Sequence, residues 1–117
     1  MKEAYNLVLK AQLAGIETLA PNKRCADVYK AAYDVLAEKN MAQYFRHSLG
    51  HGVGLDIHEG YNAGPNSTDI FEPGNITSVE PGIYLPDKFG IRIEDVCMVT
   101  ESGNEDISQF PKEFTVL

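Results

Sequence analysis

The sequence predicts an α+β fold, two helices followed by an antiparallel sheet, and three observations carry that prediction. Apolar residues recur at helical spacing up to Asn40. Five glycines (Gly50, Gly52, Gly54, Gly60 and Gly64) then crowd one stretch, where each would cost a helix interior about 1 kcal/mol relative to alanine. Beyond them, Ile91 to Cys97 alternates apolar and polar residues with the period of a strand.

The first helix is expected from Glu3 to Leu19, with Ala4, Leu7, Val8, Ala11 and Ala14 on its apolar stripe. Gly15 weakens it and Pro21 sets its limit. The second is clearer: Val28, Ala31, Ala32, Val35 and Leu36 follow i, i+3, i+4, i+7, i+8, with Glu38, Lys39 and Asn40 near its end. A short connection between them predicts two helices packed side by side. His47 to Glu59 reads as strand and tight loop, and Asn62 to Gly74, with Pro65 and Pro73, as a polar loop. Ile76 to Val79 is a short strand ended by Pro81-Gly82. Ile91 to Thr100 is the strongest strand, Glu101 to Asn104 a turn, and Glu105 to Ser108 a last short strand.

With 117 residues the chain has the size of one domain, expected to span 1–117. Its formal net charge of −7, spread along the chain, speaks against nucleic acid as a partner. No apolar run is long enough to span a membrane and no leader-like segment opens the chain, so a cytoplasmic address is expected. Cys25 and Cys97 form no C-x-x-C motif and are expected to be buried free thiols.

All three histidines, His47, His51 and His58, fall in the stretch His-Ser-Leu-Gly-His-Gly-Val-Gly-Leu-Asp-Ile-His. Imidazole is the commonest metal ligand and the usual acid–base group near neutral pH, and glycine lets backbone approach an ion closely. The intervening Gly50 and the absence of glutamate at position 48 speak against a helical zinc-protease pair. Glu80 stands at a strand end before Pro81. Alternation puts Ile91, Ile93 and Cys97 on one face and Arg92, Glu94 and Val96 on the other. Taken singly, each histidine serves equally as a structural residue, Glu80 as a solvated edge glutamate, and Arg92 with Glu94 as a simple ion pair. A metal held by Glu94, with Arg92 near its oxygens, is the sharper alternative.

The ordered set His-Ser-Leu-Gly-His-Gly-Val-Gly-Leu-Asp-Ile-His-Glu, Val-Glu-Pro-Gly-Ile-Tyr and Ile-Arg-Ile-Glu-Asp resembles the pita-bread metallopeptidases over essentially the whole chain. The Arg-Ile-Glu-Asp block, with Tyr84 after Glu-Pro-Gly, resembles their aminopeptidase P and Xaa-Pro dipeptidase (prolidase) branch. The resemblance implies half of a pita-bread fold, the C-terminal half of a catalytic domain. It implies that His51 and Glu80 bind one metal, that Glu94 bridges two, and that Arg92 lies close to Glu94. His47 and His58 match histidines that contact substrate and steady the reaction intermediate. The implied reaction is hydrolysis of Xaa-Pro bonds in a proline-containing peptide or dipeptide, assisted by two divalent ions, Mn²⁺ foremost, with Co²⁺ or Zn²⁺ tolerated. Glu80 is the residue implied to take the water's proton.

The complete family site also uses two aspartates, which precede the segment present here. Asp27 and Asp34 fall on the second helix, Asp56 inside the histidine block, and Asp95 on the face opposite Glu94, so none is a good substitute. The chain is therefore expected to be part of a full enzyme, one half of a split enzyme, or a non-catalytic domain acting in binding or assembly. On its own it is expected to be inactive, to bind metal weakly or not at all, and to self-associate or pair with a missing N-terminal half.

Overall fold

In the computed structural model the described residues are 2–45, 47, 49–51, 62–85 and 89–107, with backbone alone for Lys2, His51, Asn62 and Phe89. Helix α1 runs Lys2–Thr18 and α2 runs Cys25–Ala37, packed against each other as expected. The buried side of α1 differs from the predicted stripe. Tyr5, Val8, Ala11 and Gln12 are buried, as is Leu19 just beyond the helix, whereas Ala4, Leu7 and Ala14 are only half-buried. The buried set includes a tyrosine and a glutamine, which an apolar count passes over. Gly15 does not interrupt the helix; a Cβ there would come within 2.9 Å of Leu49 Cδ2, so the missing side chain is space for a neighbour.

The helix ends are built from specific partners. The amide of Asn104 donates to the carbonyls of Ile16 and Leu19, both at 2.8 Å, capping α1 from a distant strand. At the end of α2, Asn40 adopts a left-handed φ of 58° and the N–H of Met41 returns to Leu36 O at 2.9 Å. That is a Schellman-type stop with asparagine in the usual glycine position. A short 3₁₀ helix follows at Ala42–Tyr44.

Strands β1 (Gly50–His51) and β2 (Asn62–Ala63) pair antiparallel. Strands β3 (Ile76–Val79), β4 (Gly82–Leu85), β5 (Phe89–Arg92) and β6 (Asp95–Val99) form a long hairpin, and β7 (Asn104–Asp106) lies along β6. Two sequence expectations are corrected here. The Ile76–Val79 strand resumes beyond Pro81 as β4, and the Ile91–Thr100 strand breaks at Ile93-Glu94. One cause accounts for both, since Pro81 has no N–H to give and its rung with Ile93 is incomplete. The loop expected from Asn62 begins instead with β2, and Ile70 bridges Arg24 near the start of α2.

Each hairpin arm has two unlike faces. Thr77, Val79, Pro81, Ile83, Ile91, Ile93, Asp95, Cys97 and Val99 are buried. The apolar residues of this face join Val8 and Ala11 of α1 and Val28, Ala32 and Leu36 of α2 in one core. Ile76, Glu80, Tyr84, Val96 and Met98 on the other face are half-buried, and Arg92 and Glu94 are exposed.

Candidate metal centre

Both hairpin segments keep one register. Val79 pairs with Asp95 on one side of the break and Gly82 with Arg92 on the other, so Glu80 stands opposite Glu94 and Pro81 opposite Ile93. The N–H of Ile93 reaches Pro81 O at 3.2 Å and that of Val99 reaches Asn75 O at 2.8 Å, which marks the hydrogen-bonded rungs. Glu80 and Glu94 therefore occupy a rung without mutual backbone bonds, where Cα atoms approach to about 4.5 Å and side chains lie closest. Both carboxylates leave the sheet on the same side.

The backbone of the histidine segment lies against this rung. The N–H of Glu80, turned away from Glu94, donates to Leu49 O at 2.6 Å, and the N–H of Leu49 donates to Ala63 O at 2.8 Å. A Cβ on Gly50 would fall on the carbonyl of Ser78, so only glycine allows β1 to lie this close to β3. This contact brings the backbone of His51 next to the edge strand that carries Glu80. The side chain of His51 and all of His58 lie outside the described residues.

His47 is half-buried, and its Nε2 shares a hydrogen bond with the hydroxyl of Tyr84 at 3.2 Å. Its ring meets Tyr84 at 5.6 Å and Phe45 at 5.1 Å, both edge-on. Tyr84 belongs to the same sheet face as Glu80 and Glu94. A Cβ on Gly90 would come within 2.9 Å of the Tyr84 ring, and one on Gly82 within 2.9 Å of its hydroxyl. The ring thus lies down across two glycines, with its hydroxyl pointing back along the strand toward Glu80. Sequence reading used Tyr84 only as part of a motif, although its i, i+4 spacing from Glu80 on a strand already placed both on one face.

Two like charges facing each other across a rung repel unless a cation shares them. One carboxylate oxygen of Glu80 has essentially no solvent access, although the residue as a whole is half-buried. Carboxylate oxygens suit a hard divalent ion such as Mn²⁺, so the two opposed glutamates are of a donor type that fits such an ion. Among the described side chains no group of three or more His, Cys, Asp or Glu converges, the imidazole of His51 lying outside them.

Several other carboxylates and both thiols among the described residues are placed elsewhere. Asp27 pairs with Arg24 at 3.1 Å and Asp34 with Lys30 at 3.2 Å on the outer side of α2. Asp95 is buried on the opposite side of the hairpin, as alternation predicts, and Asp56 lies outside the described residues. Cys25 and Cys97 are buried free thiols as expected. Burial, then the carboxylate of Asp69, pushes the Cys25 thiol up to about 11, which keeps it protonated and a poor ligand at neutral pH.

Comparison with known proteins gives the chain a family and a set of solved relatives. The pattern of metallopeptidase family M24 matches residues 1–101. The chain is 40% identical to the uncharacterized peptidase YqhT of Bacillus subtilis, covering 100% of this chain and 33% of that protein. It is 40% identical to the probable dipeptidase PepE of Mycobacterium tuberculosis, over 98% of this chain and 31% of that one. Among solved structures, the Xaa-Pro dipeptidase from Bacillus anthracis superposes with a TM-score of 0.92 at 44% identity, covering 99% of this chain and 33% of the other. The prolidase from Pyrococcus horikoshii OT3 gives 0.91 at 36% identity, over 96% and 32%. The chain thus spans about a third of the length of these relatives, and the expected pita-bread class, two helices and then antiparallel sheet, is the fold it shares with the prolidases. On the match of its sequence and the likeness of its fold, this chain belongs to metallopeptidase family M24.

Proposed function

We propose that the chain is the metal-binding C-terminal half of a catalytic domain that hydrolyses Xaa-Pro bonds, as an aminopeptidase P or Xaa-Pro dipeptidase does. The observation that supports it most is the Glu80–Glu94 rung, with the His51 strand laid against it by the Leu49–Glu80 backbone bond. The similarity to an Xaa-Pro dipeptidase and a prolidase supports the substrate class, a proline-containing peptide or Xaa-Pro dipeptide. The site of action is the cytoplasm.

In this reading His51, Glu80 and Glu94 would hold two divalent ions, Mn²⁺ by preference, which when bound would supply Lewis acidity and an activated water. Glu80 accepts the proton of the attacking water, since its carboxylate stands at the strand end beside Glu94. His47 and His58 contact the substrate and steady the negative charge that develops on the scissile carbonyl oxygen. The hydroxyl of Tyr84 holds His47 by its Nε2 and limits the ring's rotation. Arg92, two residues from Glu94 on the same face, keeps oxygen atoms near that carboxylate.

Asp27, Asp34 and Asp95 do not complete the ligand set, because the first two are paired on the outer surface and the third is buried behind the site. Their placement supports a partner segment, an N-terminal half covalently joined or separate, as the source of the remaining ligands. It equally supports a second reading, a half-domain that acts by binding or assembly alone.

Calorimetric titration with Mn²⁺ tests the site in this chain. Weak binding is expected, lost in Glu80→Ala and in His51→Ala. Equal heats from wild type and Glu80→Ala would sink the site, and tight binding of two ions would overturn the ligand count. Hydrolysis of an Xaa-Pro peptide is expected to be absent from the chain alone; chelator-sensitive turnover would show that the site is already complete.

A further inference from the structure

Gln12 is fully buried in the seam between α1 and the hairpin. An amide in such a place is costly. Its Oε1 has no hydrogen-bond partner among the described residues, and leaving a buried polar atom unsatisfied costs about 1–3 kcal/mol. A leucine would fill the seam without that cost. The amide does make one long-range bond: its Nε2 donates to the carbonyl of Val79 at 3.3 Å. Val79 ends β3 immediately before Glu80, and its register partner Asp95 immediately follows Glu94.

The neighbouring rungs explain why a clamp is useful there. The Glu80–Glu94 rung has no mutual backbone bonds, and the Pro81–Ile93 rung beyond it has only the bond from Ile93 N, because proline has no N–H to return. Two successive rungs are weak at the point where two like charges face each other. The rung gripped by Gln12 is the one that adjoins them.

We infer that Gln12 is a positioning residue for the carboxylate pair: from the buried side of the sheet, its amide holds the Val79 carbonyl and keeps Glu80 and Glu94 opposed where the ladder alone is weakest. The purpose of the opposed pair rests on the metal reading above, but the clamp itself does not.

The test uses Gln12→Leu and Gln12→Met in this chain, with two measurements. Amide hydrogen exchange is followed at Glu80 and Ile93 against the interior of α2, and Mn²⁺-induced broadening of the Glu80 and Glu94 amide signals is titrated. The inference expects exchange at Glu80 and Ile93 to rise about tenfold while α2 keeps its protection. It also expects the Mn²⁺ midpoint to rise about tenfold, the scale on which outer supports tune a metal site. A merely structural glutamine would lower protection uniformly, and that result, or unchanged exchange at Glu80, overturns the inference. If leucine prevents folding, methionine fills the same volume without the donor and carries both measurements. Unfolding of both variants overturns it too, since Gln12 then serves the core. Wild-type signals that ignore Mn²⁺ would sink the metal reading, and the exchange measurement would then decide the role of Gln12 by itself.

Discussion

Glu80 and Glu94 oppose each other from adjacent strands, and a carboxylate pair in that position destabilises a sheet by a few tenths to about 1 kcal/mol. Removing one charge separates the cost of the pair from its use. Glu94→Gln keeps the shape and hydrogen-bonding capacity of the side chain while ending the repulsion. In the presence of chelator this variant is expected to unfold at higher urea than wild type, by roughly 0.5 kcal/mol. With Mn²⁺ the order reverses, because only the wild type gains stability from a ligand that binds the folded state. Paired urea titrations with and without Mn²⁺ read both signs. A variant that is less stable than wild type under chelator would show that the two carboxylates do not repel as their register requires.

At the scale of elements, the approach of β1 to β3 has a sharp steric condition. A methyl group at position 50 would fall on the Ser78 carbonyl, which is backbone and cannot rotate aside. Gly50→Ala is therefore expected to cost about 3 kcal/mol or to detach β1 from β3. In thermal melts it should lower the midpoint far more than Gly103→Ala, where a Cβ meets nothing. Equal midpoints would mean that β1 does not rest on β3 as described. The helices and the final turn were legible in the sequence because their signals are local: a repeating apolar stripe, an Asn stop after α2, and a polar Glu101–Asn104 segment. The opposite faces of Glu94 and Asp95 were legible for the same reason, since strand alternation needs no partner. The continuation of the hairpin through Pro81 was not, because a proline signals a stop locally while the shared register comes from a partner strand. Gln12 and Asn104 were missed for a related reason. Each is a polar residue whose partner lies far away in sequence, at Val79 and at the end of α1, and neither bond leaves a periodic trace.

For the whole molecule, the two faces of the hairpin set how the chain meets its surroundings. One face is closed by α1 and α2 and supplies the core. The other carries the carboxylates together with Ile76, Tyr84, Val96 and Met98, which all keep part of their surface in water. Apolar side chains grouped beside functional polar ones on an open sheet face mark an interface more often than a solvent surface. In the absence of another segment, a second copy of the chain can cover this face. Sedimentation velocity at micromolar protein is expected to show concentration-dependent association. Val96→Lys, which puts a charge in the middle of the face, is expected to shift the distribution to monomer without changing the thermal midpoint by more than about 1 kcal/mol equivalent. Leu13→Lys is the matched control, since Leu13 is 47% exposed on α1, away from the open sheet face. If both lysines dissolve the association equally, the contact is nonspecific. If wild type sediments only as compact monomer, the half-buried face is already satisfied by its own side chains, and pairing with an N-terminal half would have to be driven by the metal ligands rather than by apolar surface.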